Sequence, residues 1–217
     1  MSNTLSGKTF VFLGSSVTYG SANGGISFCE YIAERNGSIC KKYAVSGTTL
    51  ADNGESSYVQ RMNVLVNENA VCDHFICQLS TNDASRNKPL GKISDSFEKN
   101  DFDASTVTGA MEYIIALAKS TWNCPISFYT NPKYDSSAYQ MMVDRLYELK
   151  KKWGVGILDF WNDEEANRLE KAQYAKYMSD PIHPTGAGYL EWWTPEFEEY
   201  LLRFDDPAPT LERQKTV

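Results

Sequence analysis

The chain has 217 residues, of which 42% are hydrophobic and 23% charged, and it carries a net charge of −7. That length suits one α/β domain whose core needs no disulfide or metal to hold it, and the acidic balance excludes the basic face that nucleic-acid binding requires. No run approaches the ~18 apolar residues of a membrane span, and no basic, apolar leader precedes the first expected strand.

Residues 8–13 are expected to form a buried strand that stops at Gly14 and opens onto Gly14–Ser15–Ser16–Val17–Thr18–Tyr19–Gly20. Strands that empty onto the C-terminal edge of a parallel sheet end in this way, and a serine on the following turn is a candidate nucleophile. Helical spacing of Ile26, Phe28, Cys29, Ile32 and Ala33 predicts a helix over 24–35, stopped by Asn36 and Gly37. A second strand over 38–45 ends at Ser46–Gly47–Thr48–Thr49. A helix over 58–69 carries the stripe Val59, Met62 and Val66, and a third strand over 74–79 ends at Ser80–Thr81–Asn82–Asp83.

Residues 84–106 lack periodicity and contain Pro89 and Gly91, so they read as a loop or lid over the sheet edge. A helix over 107–122, a strand over 125–130, a helix over 137–153, a strand over 155–160 and a helix over 163–174 follow. A proline-bracketed loop over 178–185 leads into an amphipathic helix over 188–204. The run Lys150–Lys151–Lys152 closes a helix, where cations suit the macrodipole. Residues 205–217 lose the apolar pattern and read as a tail, or as an arm reaching a second copy in a homo-oligomer. The alternation implies an α/β fold over 1–204, a three-layer α/β/α sandwich around a central five-stranded parallel sheet.

The cysteines are Cys29, Cys40, Cys72, Cys77 and Cys124, with no CxxC spacing. Most sit among apolar neighbours and read as small core hydrophobes of a reduced, cytoplasmic chain.

Of the two histidines, His74 opens a strand at the end away from the expected active edge and reads as structural. His183 lies in Asp180–Pro181–Ile182–His183–Pro184. An aspartate three residues earlier can accept the Nδ1–H in a tight turn and leave Nε2 free to take a proton from a hydroxyl. Acyl transfer also needs donors aimed at the developing oxyanion. The Ser16 N–H, the Gly47 N–H and the Asn82 amide stand at the same end of adjacent strands and can supply them.

These stretches resemble the blocks of the SGNH hydrolases, the GDSL esterases and lipases. Gly14–Ser15–Ser16–Val17–Thr18–Tyr19–Gly20 is similar to the first block, Val45–Ser46–Gly47–Thr48–Thr49 to the second, Ser80–Thr81–Asn82–Asp83 to the third and Asp180–Pro181–Ile182–His183–Pro184 to the last, in the family's order. Ser15 stands where the family usually has aspartate, and Ser80 where it usually has glycine. The resemblance implies a flavodoxin-like strand order, Ser16 as nucleophile, His183 as base, Asp180 as its orienter, and Ser16, Gly47 and Asn82 as the oxyanion hole, with no metal or cofactor. It implies a serine ester hydrolase working through an acyl-enzyme. The polar segment 84–106, with Asn87, Lys88, Asp95 and Asn100, points to a short acyl group on a carbohydrate, with Tyr19 and Tyr134 near the strand ends able to stack on a sugar. Lysophospholipase and acyl-thioesterase activity are alternatives within the family. Outside it stand a non-catalytic flavodoxin-like protein cradling a phosphate on Gly14–Gly20, a metal site of Asp180, His183 and Asp83, and an interaction module that kept the fold.

Overall fold

The computed structural model describes residues 4–54 and 56–205; the tail expected from 205 onward lies, beyond Asp205, outside the described residues. Five strands, β1 (Thr9–Gly14), β2 (Ile39–Ala44), β3 (His74–Gln78), β4 (Ile126–Tyr129) and β5 (Gly156–Leu158), form one parallel sheet in the order β2-β1-β3-β4-β5. This is the flavodoxin-like order, and its winding reverses between β1 and β3. A crevice therefore opens past the C-terminal ends of those two strands, where the Gly14 and Ser80 turns begin.

Alternation along the strands sorts their side chains onto two faces. Val11, Leu13, Phe75, Cys77 and Phe128 share one core with α3 (Tyr58–Glu68), α5 (Val107–Thr121) and α6 (Ser137–Trp153). Phe10, Phe12, Ile76 and Tyr129 share the other with α2 (Phe28–Asn36) and α8 (Thr194–Asp205). Rings dominate this second core: Phe28 stacks on Phe197 with centroids 3.9 Å apart, and Phe160 on Trp193 at 4.6 Å. Burying each such side chain stabilises the fold by roughly 1.5–3 kcal/mol. Helices on both faces complete the expected three-layer sandwich.

Four expected elements differ in detail. The helix expected from residue 24 starts at Phe28, because Ser27 caps it: the Ser27 hydroxyl accepts the Cys29 N–H (3.3 Å) and the Glu30 carboxylate accepts the Ser27 N–H (2.8 Å). The helix expected over 163–174 is broken into a 3-10 turn (Ala166–Arg168) and α7 (Lys171–Tyr177). Here the Asn167 amide is drawn back onto the carbonyls of Phe160 (3.0 Å) and Trp161 (3.1 Å). The last helix begins as a π-helical stretch (Gly188–Trp193), with the Thr194 hydroxyl donating to the Tyr189 carbonyl at 2.7 Å, and becomes α8 at Thr194.

The fourth difference concerns 84–106. Its first residues finish a short helix, α4 (Thr81–Ser85), and the rest is strapped to the α5/α6 flank rather than laid over the sheet edge. Arg145 donates to the Gly91 carbonyl (2.8 Å), and Lys152 donates to the carbonyls of Ser94 (2.7 Å) and Ser96 (2.5 Å). Lys152 also pairs with Glu112 at 2.6 Å, and Glu112 accepts the Ser94 N–H at 2.9 Å. The Glu112 side chain is 1% exposed and that of Lys152 13%. A buried ion pair needs its remaining donors and acceptors satisfied, and the strap's backbone does so. Lys152 is therefore set apart from the solvated end of the lysine run.

Candidate active site

Ser16 is the first residue of α1 (Ser16–Tyr19), a one-turn helix that follows β1 directly. The turn is tight: a Cβ on Gly14 would lie 1.7 Å from the Thr18 Oγ1, so only glycine fits there. Ser15, in the position usual for aspartate, is fully buried, and its N–H donates to Gln78 Oε1 at 2.8 Å. The Thr18 hydroxyl donates to the same oxygen at 2.9 Å. One amide oxygen at the end of β3 thus organises the Ser16 turn. The Ser15 and Thr18 N–H groups that a phosphate cradle would need face Gln78 instead, at 2.8 and 3.4 Å.

His183 reaches Ser16 across most of the chain, with Nε2 2.8 Å from Ser16 Oγ. Its Nδ1 lies 2.7 Å from Asp180 Oδ2. An ionised carboxylate only accepts, so Nδ1 carries the proton and Nε2 is left to accept from the serine. The other Asp180 oxygen accepts the N–H groups of Ile182 (2.8 Å) and His183 (2.9 Å), which closes the turn. Burial acts to raise the Asp180 carboxyl; the Ile182 N–H, the imidazole and the His183 N–H outweigh it and hold the group below the ordinary carboxylate range. The loop itself is anchored twice. Ser179 donates its N–H and hydroxyl to the His183 carbonyl, both at 2.9 Å, and the Asn131 amide at the end of β4 donates to the Ile182 carbonyl at 2.8 Å.

Because β1 lies between β2 and β3, the Ser16 turn is flanked by the turns bearing Gly47 and Asn82. Gly47 adopts φ +78°, a left-handed conformation open to glycine, and the turn closes through the Thr48 hydroxyl on the Val45 carbonyl (2.7 Å). Asn82 donates one amide proton to the Thr48 carbonyl (3.0 Å), and its NH₂ has a second to offer. Ser80, in the position usual for glycine, has an ordinary φ of −71° and accepts the Asn82 N–H at 3.2 Å. Its Cβ therefore imposes no strain, and its hydroxyl caps α4.

Arg61, from α3, ties the first two turns together: Nη2 donates to the Gly14 carbonyl (3.0 Å) and to the Thr48 hydroxyl (2.8 Å), and Nη1 to the Tyr43 carbonyl (2.5 Å). Burial lowers its pKa, and its hydrogen-bond acceptors are neutral oxygens. The sequence reading missed Gln78, Arg61 and Asn131. Only the polar character of Gln78 in an otherwise apolar strand marked any of them.

Other expected residues lie elsewhere. His74 is buried at the far end of β3 with Nε2 2.7 Å from Ser127 Oγ, and burial lowers its pKa to about 3. Asp83 spends both oxygens on the N–H groups of Leu50 (2.7 Å) and Ala51 (3.0 Å), which removes it from the metal alternative. Tyr134, partly buried, packs against the core rings of Tyr139 and Trp161 at 5.3 and 5.4 Å. Tyr19 is 43% exposed beneath Lys42, whose Nζ lies 5.5 Å from its ring. Asp95 and Asn100 belong to the strapped segment.

Residues 12–190 match the model of the GDSL-like lipase/acylhydrolase family. No curated protein matches at a significant level. Among solved structures, the chain is similar to a protein from Lactobacillus plantarum at 20% identity and a TM-score of 0.75, covering 90% of this chain and 97% of that one. It also resembles a GDSL-like lipase candidate from Bacteroides ovatus (15% identity, TM-score 0.64, 91% and 99% covered). A third likeness is to an inhibitor-bound aryl esterase of M. smegmatis (11% identity, TM-score 0.64, 91% and 99% covered). At these identities the structural likenesses establish the fold.

Proposed function

The chain belongs to the GDSL-like lipase/acylhydrolase family, and from that premise we propose that it is a serine carboxylic-ester hydrolase acting through an acyl-enzyme on Ser16. The observation that carries this reading is the continuous contact from Asp180 through His183 to the Ser16 hydroxyl, at 2.7 and 2.8 Å. His183 Nε2 takes the hydroxyl proton as Ser16 Oγ attacks the carbonyl. The tetrahedral oxyanion is held by the Ser16 N–H, which as the first N–H of a helix has no intrahelical acceptor, by the Gly47 N–H and by the free Asn82 amide proton. The imidazolium, stabilised by Asp180, then protonates the leaving alcohol. Water enters, gives its proton to Nε2 and attacks the acyl carbon, and the acid leaves as Ser16 regains its proton.

The substrate that fits best carries a short acyl group, such as acetyl, on a hydroxylated alcohol such as a sugar. Arg86, just past α4, is exposed, and its Nη2 lies 3.8 Å from where a Cβ on Gly47 would stand. A guanidinium there offers donors to hydroxyl or anionic oxygens of a substrate and is a poor neighbour for a long alkyl chain.

The test is labelling with a fluorophosphonate and mass mapping of the adduct. The label is expected on Ser16, and Ser16→Ala is expected to show almost no turnover of p-nitrophenyl acetate. Wild-type turnover by Ser16→Ala would end the esterase reading. Faster cleavage of p-nitrophenyl octanoate than of the acetate would end the short-acyl part of it.

A further inference from the structure

We infer that Cys72 and Cys124 form an oxidisable dithiol that a small disulfide such as oxidised glutathione converts into an intrachain disulfide, stapling the N-terminal ends of β3 and β4. The two sulfurs lie 3.8 Å apart although the residues are 52 positions apart in sequence. Cys72 and Cys124 lie just before β3 and β4, which pair directly, Phe75 with Ile126, so the two cysteines stand one register position off direct opposition. Strands ~4.8 Å apart with a rise of ~3.3 Å per residue put Cα atoms one position off at roughly 6 Å, within the separations that disulfides use. Closing the sulfurs to the ~2.05 Å of a bond is then a matter of side-chain torsion on backbones the sheet already holds side by side.

Both residues are free and half-buried, open enough for a small reagent, whereas Cys29 and Cys77 are wholly buried. The two thiols also differ in acidity. The adjacent Cys72 thiol holds Cys124 below the ordinary range against the effect of burial, and the Phe75 N–H helps. Cys72 is raised, by its neighbour and by burial. One of the two, as thiolate, attacks and the other resolves the mixed disulfide.

The chemistry balances as two thiol–disulfide exchanges. The thiolate of either cysteine attacks one sulfur of oxidised glutathione, forms a mixed disulfide and expels one glutathione thiolate. The other cysteine, 3.8 Å away, then gives its proton to solvent and attacks that cysteine's sulfur, expelling the second glutathione thiolate. The cysteines lose two electrons to the glutathione disulfide, which is reduced to two thiols. The pair lies at the sheet edge opposite Ser16, so this site is independent of the esterase reading.

The experiment incubates the native full chain with oxidised glutathione, alkylates the remaining thiols and maps the peptides by mass. A Cys72–Cys124 cross-linked peptide is expected, with the intact mass lower by two hydrogens. Closing a loop of this length is expected to raise the Tm by roughly 5–15 °C over the reduced chain, reversibly with a dithiol reductant. Cys72→Ser and Cys124→Ser, either of which serves, are expected to show no such rise. A wild-type chain that stays unmodified, that stops at a mixed glutathione disulfide on either cysteine, that cross-links other cysteines, or that gains no Tm on cross-linking overturns the inference.

Discussion

Asp180→Asn isolates the role of one carboxylate within an otherwise unchanged turn. Asp180 divides its oxygens: Oδ1 accepts the N–H groups of Ile182 and His183 at 2.8 and 2.9 Å, and Oδ2 faces His183 Nδ1 at 2.7 Å. An asparagine can keep only one of these arrangements. If its oxygen serves the two N–H groups, its NH₂ faces Nδ1, which must then be unprotonated. The imidazole proton moves to Nε2, and the base has no lone pair for the Ser16 hydroxyl. If the amide flips, the NH₂ meets two N–H donors and leaves them unsatisfied, which costs roughly 1–3 kcal/mol for each. The first arrangement is the cheaper one, so the variant is expected to fold normally with the wrong tautomer. The same change in a serine protease triad lowers kcat about 10⁴-fold. A loss of about 10³–10⁴-fold, or ~4–5.5 kcal/mol of transition-state stabilisation, is expected here. The assay is kcat on p-nitrophenyl acetate, with the Tm measured alongside. A kcat within tenfold of wild type, at an unchanged Tm, would refute the assignment of Asp180 as the group that sets the tautomer.

Three further outcomes follow from the same geometry. Asn82→Ala removes the proposed oxyanion donor and is expected to lower kcat about 10²–10³-fold with KM little changed, so a change confined to KM would count against the assignment. Arg61→Lys leaves one nitrogen where two served the oxygens of Gly14, Tyr43 and Thr48, so it is expected to lower kcat more than it raises KM; identical kinetics would show that the clamp has no bearing on the proposed oxyanion hole. His74 binds its proton only near pH 3 in the folded chain, against an ordinary value of 6.5. The unfolded chain therefore holds more protons between these values. The stability tied to neutral His74 is fully present above the ordinary value and is lost as pH falls toward about 3, by at most about 5 kcal/mol. Denaturant titrations of wild type and His74→Gln should converge as pH falls through that window, and a constant difference between them would contradict the buried, neutral imidazole.

Much of the frame was legible in the linear order of residues. The apolar runs within 8–13, 74–79 and 125–130 mark strands, because burial on both faces of a parallel sheet leaves a continuous apolar signature, whereas β2, at the sheet edge, carries Lys41 and Lys42 and is only partly buried. The turn from Asp180 to His183 was legible because its aspartate and histidine lie three residues apart, so their contact is a local matter. Boundaries failed where a side chain competed with helix periodicity: Ser27 with Glu30 against Ile26, Asn167 across the expected helix at 163–174, and Thr194 within the last one.

Contacts between distant segments were decided by the sheet. The Ser15–Gln78 bond spans 63 positions, the Arg61–Gly14 bond 47 and the Cys72–Cys124 contact 52. Periodicity states which face a residue takes; it carries nothing about which strand lies alongside or in what register. Segment 84–106 shows the same limit, since its polar residues read as a lid until Lys152 and Glu112 are seen to need its backbone. The kinds of chemistry available to this chain, and the order of the groups that supply them, are properties of its sequence. The meeting of an imidazole with a hydroxyl 167 positions away, and of two thiols at the opposite edge, comes from the strand order β2-β1-β3-β4-β5, which packing alone selects.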